Sequence, residues 1–242
     1  MNDLNRGYGA TAARTSTGVM DEGLRQYMLG VYNYMALAVA GTGVVSLFVA
    51  SQPQIAFAIA GGPIKWVLFA GIMGLGWFAP RVIFSGTRIM AHAMFWGYAA
   101  LWGLLIAPML LSFQMAGAAQ EIYRAFFITA SVFAGVSIFG YSTKRDLSGM
   151  AGFLAMASIG LLIAIIANAI FFKSGMASFI TSILVVLVFS AVTAWETQMI
   201  KSLYQQGGEA NERASIFGAF ALYGSFVTLF IHILNILGFM RD

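Results

Sequence analysis

Long apolar runs alternate with short polar interruptions along this chain. Charge-free intervals stretch from Arg25 to Lys65, Arg88 to Glu121, Arg124 to Lys144, Asp146 to Lys173, Lys173 to Glu196 and Arg213 to Arg241. A helix crosses a bilayer core of roughly 30 Å with about 20 mostly apolar residues. The pattern therefore predicts seven spans, over 28–50, 64–84, 91–112, 122–142, 149–172, 177–200 and 216–239. The second has a short apolar centre, so Lys65 and Arg81 must reach the interfaces from its two ends. Were that segment re-entrant, six spans would remain. Pro53, Gly61, Gly62 and Pro63 break the chain between the first two spans, and Pro80 sits at the end of the second. Asp146 and Ser148 are good helix-capping residues ahead of the fifth. Gly207 and Gly208 open the longest polar loop, which ends near Ser215.

Composition agrees with this pattern. Of 242 residues, 60% are apolar and 9% charged, where a soluble domain carries about 25% charged residues. So little charge cannot cover a surface against water, and lipid must do so. The fold class is all-α, a polytopic membrane bundle. Residues 1–24 are polar and rich in small residues, without the apolar centre of a signal peptide. They read as a disordered tail, ahead of a single seven-helix domain over 25–242 whose first span is an uncleaved anchor. Absence of cysteine excludes disulfides and thiolate chemistry. His92 and His232 are the only histidines, too few for a histidine-rich metal site. The 13 basic residues are scattered between apolar runs, so the net charge of +4 is no nucleic-acid signal.

Basic residues set orientation. Nine lie in the N-terminal tail and the even-numbered connections, against four on the other side. The N-terminus is expected in the cytoplasm and the C-terminus outside. Every connection is short, which leaves no extramembrane domain for soluble chemistry.

Charge at membrane depth is costly, at least ~2.5 kcal/mol on insertion scales, and marks function by default. Glu196 alone qualifies, about 7–8 Å deeper than Lys201 at the end of the sixth span. Its bland reading is a carboxylate at a helix end, reaching water. In the last span, Ser225, Thr228, His232 and Asn235 fall within an arc of about 80° on an otherwise apolar helix. Such a stripe should face the bundle, either as interhelical hydrogen bonds or as a wet seam. Ser190, Thr193 and Thr197 lie near Glu196, but such hydroxyls commonly satisfy carbonyls of their own helix. His92 reads as interfacial, Asn168 as hydrogen-bond glue, and Arg124 as an anchor paired with Glu121. No lysine in the last span offers a retinal attachment point. Ser225 and His232 share one helix, a poor geometry for a protease pair. With no phosphate loop or metal motif, an enzyme is not expected, and no cofactor either.

The stretch Tyr141-Ser142-Thr143-Lys144-Arg145-Asp146-Leu147-Ser148-Gly149-Met150 resembles the central motif of the Bax inhibitor-1 family, the TMBIM superfamily. Glu196-Thr197-Gln198-Met199-Ile200-Lys201 resembles that family's acidic-Thr-Gln motif, and Leu222 to Phe230 its last-helix signature. Tyr32 to Leu37 resembles its first span, so the matches run in order from about residue 25 to 240. The resemblance implies a central last helix with six around it, in a bacterial inner-membrane protein. It implies a pH-sensitive cation leak, chiefly of calcium, or else a non-conducting partner of a membrane-bound AAA protease in membrane-protein quality control. In the family's leak scheme two acids on the last two helices share protons, and an arginine latches onto the first. Glu196 matches the first acid and Arg81 is the latch candidate. Ser225 stands where the second aspartate is typical, and a serine supplies no charge. The expected path is therefore lined by Glu196, Ser225 and Thr228. Arg81 competes for Glu196, and His232 titrates in place of the missing acid. Calcium would bind weakly at Glu196, since it prefers six to eight oxygens.

Overall fold

The computed structural model describes residues 3–204 and 208–241, apart from the side chains of 3–21 and Glu209. Apolar runs satisfy their backbone internally as helices, as a bilayer demands. Eight α-helices result among the described residues: α1 Asp3–Ala50, α2 Pro53–Gly61, α3 Ile64–Ser85, α4 Arg88–Met115, α5 Ala119–Ser142, α6 Ala151–Ala167, α7 Gly175–Ser202 and α8 Glu209–Arg241. All but α2 contribute a segment long and apolar enough to span a membrane, which makes seven spans. The expected ends agree to within six residues.

The second span is a full helix of 22 residues, so the six-span arrangement is excluded. Pro53 starts the extra helix α2, because proline suits a first helical turn as well as it stops a preceding one. The expected tail over 1–24 falls mostly outside the described side chains, while the backbone from Asp3 onward continues α1. No proline precedes Pro53 to stop that helix.

The last helix starts earlier than hydropathy suggested, at Glu209, and Gly207 lies outside the described residues. Its polar first turns have partners. Arg213 Nη1 donates to the carbonyls of Ile83, Phe84 and Gly86 at 3.1, 3.2 and 2.6 Å. These are carbonyls at the end of α3 with no helical partner of their own. Glu212 pairs with Arg88 at 2.7 Å, and His92 Nε2 stands 3.9 Å from it. His92 thus stands beside an ion pair at the start of α4. Arg124 pairs with Glu121 at 2.8 Å.

Helix α8 is the centre of the bundle. Of its span window 61% is buried, against 6% for the fifth span, which contains α6. It packs on α1, α3, α4, α5 and α7, whereas α6 packs mainly on α7 and stands at the rim. Five helices therefore surround the last one, rather than six. Gly218 permits this closeness, since a Cβ there would meet Ile200 Cγ2 at 2.8 Å. Tyr223, fully buried, reaches Thr42 at 2.7 Å, and Thr42 donates to the Ala99 carbonyl at 3.0 Å, tying α8 to α1 and α4.

The connections are capped locally. Thr87 accepts from Met90 N at the start of α4, and Ser174 from Ala177 N at the start of α7. Asp146 accepts from Ser148 N at 2.9 Å, and this bond holds its carboxyl below the usual carboxylate range. Asn168 proves to be a local cap rather than interhelical glue. Its amide donates to Ser174 O and accepts from Ser174 N, both at 3.1 Å, around Lys173 in the left-handed region at φ 48°.

Candidate functional site

Glu196 lies on α7 facing α8, half-buried, and Ser225 on α8 donates to its Oε2 at 2.7 Å. The other carboxylate oxygen takes no hydrogen bond from the described residues, yet it is not sealed off. Among the described residues no lysine, arginine or histidine forms an ion pair with Glu196. The charge at depth therefore has one neutral donor and no counter-ion among them.

Backbone packing fixes this residue's height and direction. Gly140 on α5 lies so close to α7 that a Cβ there would collide with the Ala194 carbonyl. Thr193, Thr197 and Ser190 donate to carbonyls four residues back on α7, as expected for membrane hydroxyls. Below Glu196, Gln198 donates to Arg145 O at 2.9 Å and accepts from Leu147 N at 2.7 Å. Lys201 donates to Tyr141 O at 3.0 Å and lies 4.6 Å from the centre of the Tyr141 ring. The two stretches that stood out in the sequence, 141–150 and 196–201, are thus one clamp joining the end of α5 to the end of α7.

Glu196 opens into a cavity of about 660 Å³ between α3, α4, α6, α7 and α8. Ser225, Thr228 and His232 line it with Tyr98 and Trp102, and most of the remaining wall is apolar. The Thr228 hydroxyl donates to Gly224 O at 2.8 Å and keeps its lone pairs for the cavity. A second cavity, about 350 Å³, lies toward Lys173 and is lined by Asn168, Ser174, Ser178, Thr181 and Ser182. His232 and Ile165 line both cavities and stand between them.

The polar stripe of the last helix does face the bundle, and it meets a serine pair on α7 that sequence reading passed over. His232 Nδ1 lies 3.0 Å from Ser182 Oγ, while Asn235 Nδ2 donates to Ser178 Oγ and Ser182 Oγ, both at 2.8 Å. Ser182 accepts from Asn235 and keeps a proton and a second lone pair, so the direction of its bond to His232 Nδ1 follows the histidine tautomer. The four-residue spacing of Ser178 and Ser182 in an apolar helix was the available signal.

Arg81 is not brought to Glu196. It lies exposed near the end of α3, whereas the α3 wall of the cavity is Phe69, Met73 and Gly76. Five residues beyond Gly76, it points about 140° away around the helix. Nor do the described residues gather three or more metal-ligating acids, histidines or cysteines anywhere. A calcium ion at Glu196 would find one carboxylate and the Ser225 and Thr228 hydroxyls, short of six to eight oxygens.

Residues 24–242 match the family model described as inhibitor of apoptosis-promoting Bax1. An uncharacterized protein of Rickettsia prowazekii is 41% identical over 97% of this chain and 99% of its own length. A second, from Caulobacter vibrioides, is 36% identical over the whole of both chains. The inner membrane protein YbhL of Escherichia coli K12 is 30% identical over 90% of this chain and 94% of its own.

Proposed function

Because this chain belongs to the Bax inhibitor-1 family of multi-pass membrane proteins, we propose that it is a pH-sensitive cation leak of a bacterial inner membrane, calcium being the permeant ion. The observation that carries the reading is the pair of cavities meeting at His232, with Glu196 in one and Lys173 in the other. Glu196 attracts the cation, Ser225 holds one carboxylate oxygen, and Thr228 lends lone pairs. The ring of His232 is the constriction, held by Ser182. Weak ligation suits passage, since a permeating ion must leave as readily as it enters. Arg81 has no place in this path.

Calcium flux into proteoliposomes between about pH 5 and pH 8 tests the reading, with Glu196→Gln beside the parent. Flux should vary with pH in the parent and vanish in the variant. Equal flux in both would remove Glu196 from the path.

One observation favours a second reading, a non-conducting partner of a membrane-bound AAA protease: Glu196 meets a serine where a second acid would complete the sensor. A well-folded parent with no flux at any pH, and a protease reproducibly crosslinked to it, would move the assignment there.

A further inference from the structure

The cavity at Glu196 is built unlike an inorganic-ion site. Its volume of about 660 Å³ lies within the roughly 300–1,000 Å³ of small-molecule pockets. The walls are Phe69 and Met73 on one side, Leu161 and Ile165 opposite, with Phe189 and Phe217 between. The charged group among them is the Glu196 carboxylate, and no lysine or arginine among the described residues lines the space. One carboxylate oxygen is free of described protein partners and reachable from the void. Access is lateral: α3 and α6 form opposite walls but share no extended contact, and α6 stands at the rim of the bundle.

A lone carboxylate against apolar walls is costly, and a cation with its own hydrogen-bond donors offsets that cost. Phosphate headgroups and fatty acids are repelled by the same charge. A bare divalent cation finds too few oxygens. We propose that this cavity binds amphipathic primary amines entering from the bilayer, the ammonium on Glu196 and the apolar body along the α3, α4 and α6 walls. The ammonium donates to the free carboxylate oxygen, while Ser225 keeps the other. An amine seated there occupies the carboxylate that a permeating cation would visit, and so blocks the path. The site is the one assigned to the leak, but binding itself does not require conduction.

The test is equilibrium binding to the full chain in zwitterionic nanodiscs, with empty nanodiscs subtracted, using dodecylamine, dodecanol and dodecanoate. Dodecylamine should bind at least tenfold more tightly than dodecanol, and dodecanoate more weakly than either. Glu196→Gln should cost the amine tenfold or more and leave dodecanol unchanged. Ala221→Trp, which fills the void without touching the charge, should weaken both. Equal affinity for the three probes in the parent chain overturns the proposal, and that comparison needs no variant. Undiminished amine binding in either variant overturns it as well. Amine selectivity without calcium flux would remove the leak and keep the site, and flux without amine selectivity would do the reverse.

Discussion

The seam between α7 and α8 has two ends of opposite character. Toward Lys173, His232, Asn235, Ser178 and Ser182 satisfy one another beside a small polar cavity. Toward Lys201, Glu196 has one hydroxyl partner and faces a larger, mostly apolar void. A closed network of neutral groups is what helix association in a membrane requires. A charge with an open oxygen contributes nothing to association that a neutral residue would not supply more cheaply. The first end holds the two helices together and fixes the ring of His232 at the constriction, and the second presents the charge.

The largest effect expected separates packing from chemistry at the Glu196 end. Gly140→Ala drives a Cβ into the Ala194 carbonyl, a backbone atom that no side-chain rotation can relieve. Overpacking typically costs about 1–3 kcal/mol, and this case should reach ~3 kcal/mol despite alanine's better helix propensity. Gly152, where an added methyl would meet nothing within 4 Å, is the control. There the same change should be neutral or stabilising by up to ~1 kcal/mol. Thermal unfolding in one detergent compares them, and equal stabilities would mean that α5 and α7 are not locked by this contact.

Next in size is the network end. Asn235→Ala removes two interhelical donors, to Ser178 and Ser182. Membrane hydrogen bonds average about 0.6 kcal/mol and reach about 1.7 kcal/mol, so a loss of about 1–2 kcal/mol in stability is expected, with calcium flux retained. Flux lost with stability intact would reverse the assignment of roles to the two ends.

The sequence displayed one half of each end. Spans were legible because hydropathy and charge spacing act locally, within one helix at a time. Glu196 and the α8 stripe were legible because polar groups in an apolar helix stand out by contrast. Their partners were harder to see. Ser182 reads as an ordinary membrane serine until α8 is laid beside it. Gln198 reads as part of a motif, with no hint that it holds Arg145 and Leu147 across the connection. Arg81 lies away from the cavity wall because charge counts speak to the side of the membrane, whereas the face of a helix is set by its rotation. Hydropathy places the turn of Arg213 in a loop and shows nothing of its partners, although its guanidinium finishes α3. The cavity had no signature at all, since it is the space left where α3 and α6 fail to meet.

The smallest effect on stability carries the most information about Glu196. Ser225→Ala removes the one hydroxyl donating to Oε2, a single interhelical hydrogen bond whose loss should cost about 0.6 kcal/mol, the average for such bonds in membranes. The carboxylate would then lose its fixed orientation, and flux should change its pH dependence while the fold stays as it was. Ser225→Asp asks the converse. An aspartate there places a second acid against Glu196, and two such close groups cannot both ionise freely. The pair should take up protons in two separated steps that belong to neither residue alone. Flux against pH would then show two transitions in Ser225→Asp, where the parent shows one. If all three chains give the same profile, Ser225 does not govern the charge state of Glu196.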